Sequence, residues 1–301
     1  MHRRLALAAV LSIVSLLGSA PAVAQTTLRW QFQPGQEFLQ QITQEMVLTG
    51  GAQKLETVQT IDAVWKVGAV DPQGTAEVSQ EIQRIRMKMV RPDGTSEYDT
   101  ASDQAPQGLL AIMAPALKAM TKVKFTMKMN SQGEVLEADV SQSTLDAMKA
   151  IAGAGQAGAT FSKEQLVAMI KKGTPPLPKD PVNKGDTWSR AMELELPGGM
   201  GNMASEMKLT YGGPEQVEGK TLERIDMDVT ANVKPVGTGA PLAATLKVDK
   251  SRGTIYFDNA AGRLSHSETA QELTMQLSMG GRSMTQTIQQ NIKVQMAPAK
   301  K

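Results

Sequence analysis

The chain has no cysteine among its 301 residues. That excludes a disulfide framework, a thiolate metal site, a cysteine nucleophile and a lipid-modified cysteine. Aromatic residues are scarce, with five Phe, three Trp and three Tyr. Histidine is scarcer still, at two. Neither charge dominates: Lys and Arg total 32 against 30 Asp and Glu. No global electrostatic argument for nucleic acid or an anionic membrane arises from such a balance. Glycine and proline, at 26 and 15, are too few for a low-complexity chain. What remains is an ordinary globular composition, long enough to bury a sizeable core.

The first residues have the pattern of a secretory signal peptide. Arg3 and Arg4 precede an apolar run from Leu5 to Gly18 that is short for a membrane span. Ala22-Val23-Ala24 matches the small-x-small cleavage rule, which places the cut after Ala24. Residues 1–24 are therefore expected to be removed. The mature chain, residues 25–301, would keep 30 basic and 30 acidic side chains. No later apolar run is long enough to span a bilayer. A secreted or periplasmic protein, not membrane-spanning after cleavage, is the expectation.

Along the mature chain the dominant pattern is period-two alternation broken by glycine turns, which predicts antiparallel β structure. Ile85, Met87 and Met89 alternate with Arg84, Arg86 and Lys88. Val123, Phe125, Met127 and Met129 alternate with Lys122, Lys124 and Lys128, and Ile225, Met227 and Val229 with Asp226 and Asp228. The turns at 71–74, 91–94, 130–133 and 258–262 each place Asp or Asn near the turn and Gly at its end, where positive φ costs glycine little. Between 107 and 172 the spacing becomes helical. Gln107 to Thr121 carries Leu109, Leu110, Ile112, Met113, Leu117 and Met120 at helical spacing, interrupted by Pro115. Ser143 is the expected N-cap of a second helix, and Ser162-Lys163-Glu164-Gln165 is a capping box opening a third, which stops at Gly173. Pro175, Pro176, Pro178 and Pro181 then form a stiff link.

One short motif occurs twice. Gly35-Gln36-Glu37-Phe38, followed by Ile42, echoes Gly185-Asp186-Thr187-Trp188, followed by Met192. The fold expectation is thus mainly β: an antiparallel, strongly curved sheet or half-barrel, in two similar β halves with a helical insert between them. The boundaries are 25–140 for the first half with the start of the insert, 141–183 for the helical segment and link, and 184–301 for the second half. Leu28-Arg29-Trp30-Gln31-Phe32-Gln33-Pro34-Gly35-Gln36, Pro181 to Trp188, and Gly253-Thr254-Ile255-Tyr256-Phe257-Asp258 with Gly262 resemble a family of secreted bacterial proteins of unknown function, common in planctomycetes. The resemblance covers most of the mature chain and brings no catalytic residues with it. The strand–turn–strand grammar is also similar, at the level of fold alone, to half-barrel lipid and lipoprotein carriers of the bacterial envelope.

Chemistry-bearing constellations are few. His266 is the one histidine of the mature chain, in Ser265-His266-Ser267-Glu268, and no Gly-x-Ser-x-Gly elbow accompanies it. With Glu268 and Glu272 it would make a metal site only if the chain bent. Eighteen mature methionines include Met87-x-Met89, Met127-x-Met129, Met200 with Met203, and Met275, Met279 and Met284. Thioethers can hold Cu(I); the plainer account is a core short of aromatics filled with Met. Arg84, Arg86, Lys88 and Arg91, and Lys118, Lys122, Lys124 and Lys128, form two basic stripes that would make a positive face if their strands pair. No nucleic-acid motif or P-loop is present.

The leading functional expectation is non-enzymatic: an envelope protein with a sheet–helix cleft for a lipid or other apolar ligand. Leu109, Ile112, Met113, Leu117, Met120, Met169 and Ile170 are the candidate lining. The alternatives are a structural or interaction module with an envelope protein partner, Met-based copper handling and, last, a hydrolase. No cofactor is expected.

Overall fold

The computed structural model describes residues 25–50, 53–121, 123–154, 162–196, 201–234, 242–279 and 282–299. The signal-peptide reading, Lys122 and Met200 lie outside the described residues. Twelve strands form one antiparallel sheet. They are β1 (Glu37–Gly50), β2 (Gln53–Val70), β3 (Ala76–Arg91), β4 (Gly94–Asp99), β5 (Lys124–Met129), β6 (Val135–Val140), β7 (Thr187–Leu196), β8 (Gly201–Val217), β9 (Lys220–Lys234), β10 (Leu242–Asp258), β11 (Arg263–Met279) and β12 (Arg282–Pro298). Three helices interrupt them: α1 (Leu109–Met120), α2 (Gln142–Ala154) and α3 (Lys163–Gly173).

The spatial order is β6-β5-β3-β2-β1-β12-β11-β10-β9-β8-β7, with β4 paired to β3. Each half of the chain is a meander forming one wing. The wings meet at the β1–β12 pair, where Phe38 stands opposite Pro298 and Thr49 opposite Thr287. The repeated motif sits at the outset of each wing. Gly35 N–H donates to Val67 O and Val67 N–H to Gln36 O; in the second wing Gly185 N–H donates to Tyr211 O and Tyr211 N–H to Asp186 O. Both glycines have positive φ. The repeated motif is therefore the same backbone device in both wings.

The sheet curls onto itself without closing. Its edge strands β6 and β7 both pack on α3. Lys163 at the start of α3 pairs with Asp139 on β6 at 2.7 Å. Arg190 on β7 donates to Lys171 O at 2.7 Å and Thr174 O at 3.1 Å, and Lys172 Nζ to Glu193 O at 2.9 Å. The capping box forms as its sequence implies, with Gln165 N–H to Ser162 Oγ at 3.1 Å and Ser162 N–H to Gln165 Oε1 at 2.9 Å. The second helix is capped one residue pair earlier than expected. Ser141, not Ser143, takes the Thr144 N–H at 3.2 Å, because the buried Thr144 hydroxyl is itself bound to the Lys124 backbone and sets the helix start.

Curling brings both wings into one core. Phe38, Trp65, Val78 and Met127 of the first pack in the same cluster as Leu209, Ile225, Phe257 and Met296 of the second. Met127 and Met129 belong to this core. Met87 and Met89 lie at the other end of β3, opposite Gln59 and Thr57, so the two thioether pairs are not gathered at one place. The core fills only one end of the sheet. Strands of 14 to 18 residues run about 45–60 Å, far longer than the usual five or six residues. Beyond this cluster the concave face is half-buried along β1, whereas Thr57, Ile85, Met89 and Ser251 on its neighbours are buried.

The opening segment plugs the core end. Leu28 is fully buried and Trp30 is 9% exposed. Trp30 N–H donates to Ser131 O at the β5–β6 turn, and Gln31 N–H to Gly262 O at the β10–β11 turn. Both turns end on glycines with positive φ, Gly133 and Gly262. A Cβ would meet Trp30 Nε1 at 2.7 Å from Gly133, and Gln31 Cβ at 2.3 Å from Gly262. The turn glycines read from sequence thus also provide the seat of this segment.

A second tie holds the segment. The Tyr211 hydroxyl donates to Glu223 Oε2 at 2.5 Å and lies 3.0 Å from the Thr26 hydroxyl. Desolvation first, then the Glu223 carboxylate, pushes the Tyr211 pKa up to about 12. A raised folded-state pKa adds stability that is complete below the ordinary value near 10 and is lost as pH rises toward 12. Urea unfolding between pH 9 and 12 is expected to show a steeper alkaline loss in the wild type than in Tyr211→Phe. Parallel curves would refute the role given to this hydroxyl.

Candidate ligand cavity

Inside the concave face, at the boundary between the filled and unfilled ends, lies a cavity of about 240 Å³. All three tryptophans of the chain line it: Trp30 from the opening segment, Trp65 from β2 and Trp188 from β7. Leu209, Ile225, Ile255, Phe257 and Leu264 complete most of the wall from the second wing. The cover is the segment 173–177, the first part of the Pro-rich link. Trp188 Nε1 donates to Pro176 O at 2.8 Å, and Leu177 N–H to Gln132 O at 2.8 Å, so the cover is tied to both wings. Arg29 reaches the Pro178 carbonyl at 2.7 Å and also bonds Lys179 O.

The indoles are held in a fixed array. Trp30 stacks on Phe32 at 5.6 Å and on Trp65 at 6.4 Å, and meets Phe257 edge-on at 5.7 Å. Trp65 Nε1 donates to Gln40 Oε1 at 3.1 Å. Gln80 Nε2 donates to the same oxygen at 2.8 Å. The wall is therefore apolar except for Gln40, Thr174 and Ser267 and the backbone of the cover. Such a site can hold a small apolar group, or one end of a longer chain, by excluding water.

The sequence-predicted lining is placed elsewhere. Leu109, Ile112 and Met169 are exposed, at 40%, 62% and 39%. Met113 and Met120 are half-buried and Leu117 is buried. Helix α1 packs on α2 and touches β3 and β4, whereas Ile170 of α3 packs on the main core cluster. The seven residues are thus not brought to one place, and none lines the tryptophan cavity. The physical reason is that the apolar side of α1 is spent on its neighbour α2. What sequence reasoning missed was the opening segment and the Pro-rich link as walls. The available signal was the position of Trp30 and Trp188, two of only three tryptophans, beside those two segments.

On β3 and β5 the described residues of the basic stripes are matched by acids. Arg84 pairs with Asp99, Arg86 with Asp62, Lys88 with Glu97 and Lys128 with Glu137. The hydrogen bond from Arg84 is the main reason the Asp99 carboxyl is held at about 2. Where β3 pairs β5, Glu81 stands opposite Lys124 and Glu77 opposite Lys128, so acids interleave with the lysines. Direct cross-strand pairs recur over the convex face: Glu37 with Lys66, Glu268 with Lys293 and Lys250 with Glu272. That face is built for water, because charged side chains are costly against lipid. His266 lies on it, stacked on Tyr256 at 4.6 Å, with Ser265 Oγ 3.3 Å from Nδ1. Its neighbour Glu268 is committed to Lys293. Among the described residues no group of three His, Asp or Glu side chains is placed to hold a metal ion, and no helix is long and apolar enough to cross a membrane.

No curated protein matches the chain. Among solved structures, a protein described as exported, with a YmcC-like fold, from Bacteroides fragilis NCTC 9343 aligns over 88% of this chain and 97% of its own, at 8% identity and a TM-score of 0.22. The transport unit of the autotransporter AIDA-I from Escherichia coli aligns over 87% and 90%, at 6% identity and a TM-score of 0.21. Scores so low leave both without bearing on what this chain does. A family profile, in contrast, matches residues 73–264, which run from the β2–β3 turn into β11 and make up more than half of the chain. The chain belongs to DUF6263, a family of unknown function.

Proposed function

We propose that the protein is a non-enzymatic, extracytoplasmic binding protein that holds an apolar ligand in the tryptophan cavity. The observation that carries this reading is the cavity itself: three indoles and a ring of aliphatic side chains around about 240 Å³, under a cover tied to both wings. A core this well ordered ordinarily leaves few voids. Its volume is below the range of about 300–1,000 Å³ usual for a drug-sized ligand, so it suits the end of a chain whose remainder lies along the half-buried concave face. The signal-peptide pattern supports a site of action outside the cytoplasm. The water-adapted convex face supports a soluble carrier over an embedded one.

Native mass spectrometry of residues 25–301, purified from a bacterial periplasm without detergent, tests the reading. A retained adduct of lipid mass is the expected result. Leu264→Trp, which places an indole in the cavity, is expected to weaken binding of N-phenyl-1-naphthylamine by at least about tenfold, while overpacking lowers stability by no more than about 1–3 kcal/mol. Unchanged binding by a folded Leu264→Trp variant would remove this cavity as the site. A bare chain that takes up neither envelope lipid nor the naphthylamine would favour the interaction module.

A further inference from the structure

Along β1, β2, β11 and β12 the concave face differs from the convex face in one chemical respect: its described positions carry no charge. Along β1 the inward positions after Phe38 are Gln40, Ile42, Gln44, Met46 and Leu48, given the register with β2 and β12. The partners facing Gln44 and Met46 are Gln59 and Thr57 on β2, and Ile292 and Gln290 on β12. On β11, Gln271 stands opposite Gln290 and donates from Nε2 to Ser251 Oγ at 3.1 Å. Charged residues of these same strands, such as Glu45, Asp62, Glu268 and Lys293, take the alternate positions. Amides and hydroxyls therefore do the polar work that ion pairs do outside.

Two charges on other strands share the inward face: Glu223 on β9, which accepts the Tyr211 hydroxyl, and Arg190 on β7, beside Trp188. Arg190 is the cation of the two. Its guanidinium is committed to Lys171 O and Thr174 O, where it fastens the end of α3 and the cover. It is not available as a counter-ion without releasing them. At the cavity wall, Gln40 Oε1 already accepts from Trp65 and Gln80. Its own amide nitrogen has no acceptor among the described residues, so it offers a donor to whatever enters. An anion in this setting would lose its water and gain no cation, which is the costly case. A neutral oxygen, such as an ester carbonyl, ether or hydroxyl, meets a donor at no such cost.

We propose that the ligand is an uncharged, single-chain amphiphile of the acylglycerol or long-chain alcohol type, whose head oxygen is read by the Gln40 amide, and that the site discriminates against carboxylates and phosphates. This rests on the reading of the tryptophan cavity as a ligand site.

The experiment compares three probes on residues 25–301 at pH 8, by tryptophan fluorescence and native mass spectrometry. They are N-phenyl-1-naphthylamine for the cavity as such, monooleoylglycerol, and oleate. The expected result is that all neutral probes bind and that monooleoylglycerol binds at least tenfold more tightly than oleate. Gln40→Glu keeps an acceptor for Trp65 and Gln80 but removes the free donor and adds charge. It is expected to weaken monooleoylglycerol at least tenfold and, because the new carboxylate meets no cation there, to lower the thermal midpoint as well. Should that variant unfold, Gln40→Met removes the donor without adding charge, at the cost of the oxygen that accepts from Trp65 and Gln80. Oleate binding as tightly as monooleoylglycerol overturns the proposal, as does a folded Gln40 variant with unaltered affinity. Binding of the naphthylamine alone overturns the ligand class but leaves the cavity as a site. Binding of none of the three overturns both.

Discussion

Phe257→Ala is expected to cost about 3–5 kcal/mol of unfolding free energy, in the upper range for a core truncation. Phe257 is 1% exposed and meets Trp30 edge-on at 5.7 Å. It also lies on the wall of the cavity, so the space it vacates adds to an existing void. The neighbours that could collapse into it are held elsewhere: Trp30 by its backbone bond to Ser131 O and its stack on Trp65, and Trp65 by Gln40. Little relaxation means that the full cavity term is expressed. Urea unfolding followed by tryptophan fluorescence checks it. A loss under about 1 kcal/mol would mean that the aromatic cluster is not packed as described.

Gly262→Ala should cost about 2–5 kcal/mol, combining a left-handed conformation with overpacking. The added Cβ would fall 2.3 Å from Gln31 Cβ and 2.7 Å from Gln31 N, and φ at this position is +60°. Neither neighbour is the free end of a flexible side chain, so the segment itself must lift. The expected signature is local: amide exchange rises at 26–33 before the β strands, and Trp30 fluorescence shifts to the red. Gly219 is the control. It too ends a turn with positive φ, at +79°, but a Cβ there meets nothing. Gly219→Ala should therefore show only the conformational cost, about 1–2 kcal/mol, and leave the opening segment seated. Equal losses in the two variants would refute the seat.

Much of the fold was legible because it depends on local rules. Alternation at 84–89 and 225–229 follows from a sheet with one wet and one dry face, and β3 and β9 have those faces. The capping box at Ser162 needs only four consecutive residues and formed as read. The Gly-x-x-aromatic echo proved to be the same backbone device at the outset of each wing. The candidate site was less legible. Trp30, Trp65 and Trp188 are separated by up to 158 positions, and nothing local to any of them says that they share a wall. The helical residues chosen as a cleft satisfy the pattern of an apolar stripe, but a stripe does not name its partner; α1 found α2.

The basic stripes teach the same lesson from the opposite side. Arg84, Arg86 and Lys88 are adjacent in sequence and do share a face. Their field is cancelled by Asp99, Asp62 and Glu97, which arrive from β4 and β2. Pairing across strands depends on register, and register depends on the turns and on the whole hydrophobic pattern.

By itself, then, the sequence determined the strand-rich class, the turn positions, the helix starts within a residue or two, and the repeated motif at the outset of each wing. Each of those is decided by sterics and burial over a few residues. The tertiary structure alone decided that the wings join through β1 and β12 into one sheet, that α3 bridges the open edges, and that the opening segment and the Pro-rich link wall a cavity with three indoles. Those outcomes depend on contacts between residues far apart in the chain, where the sign and size of each free-energy term are set by the neighbour that arrives.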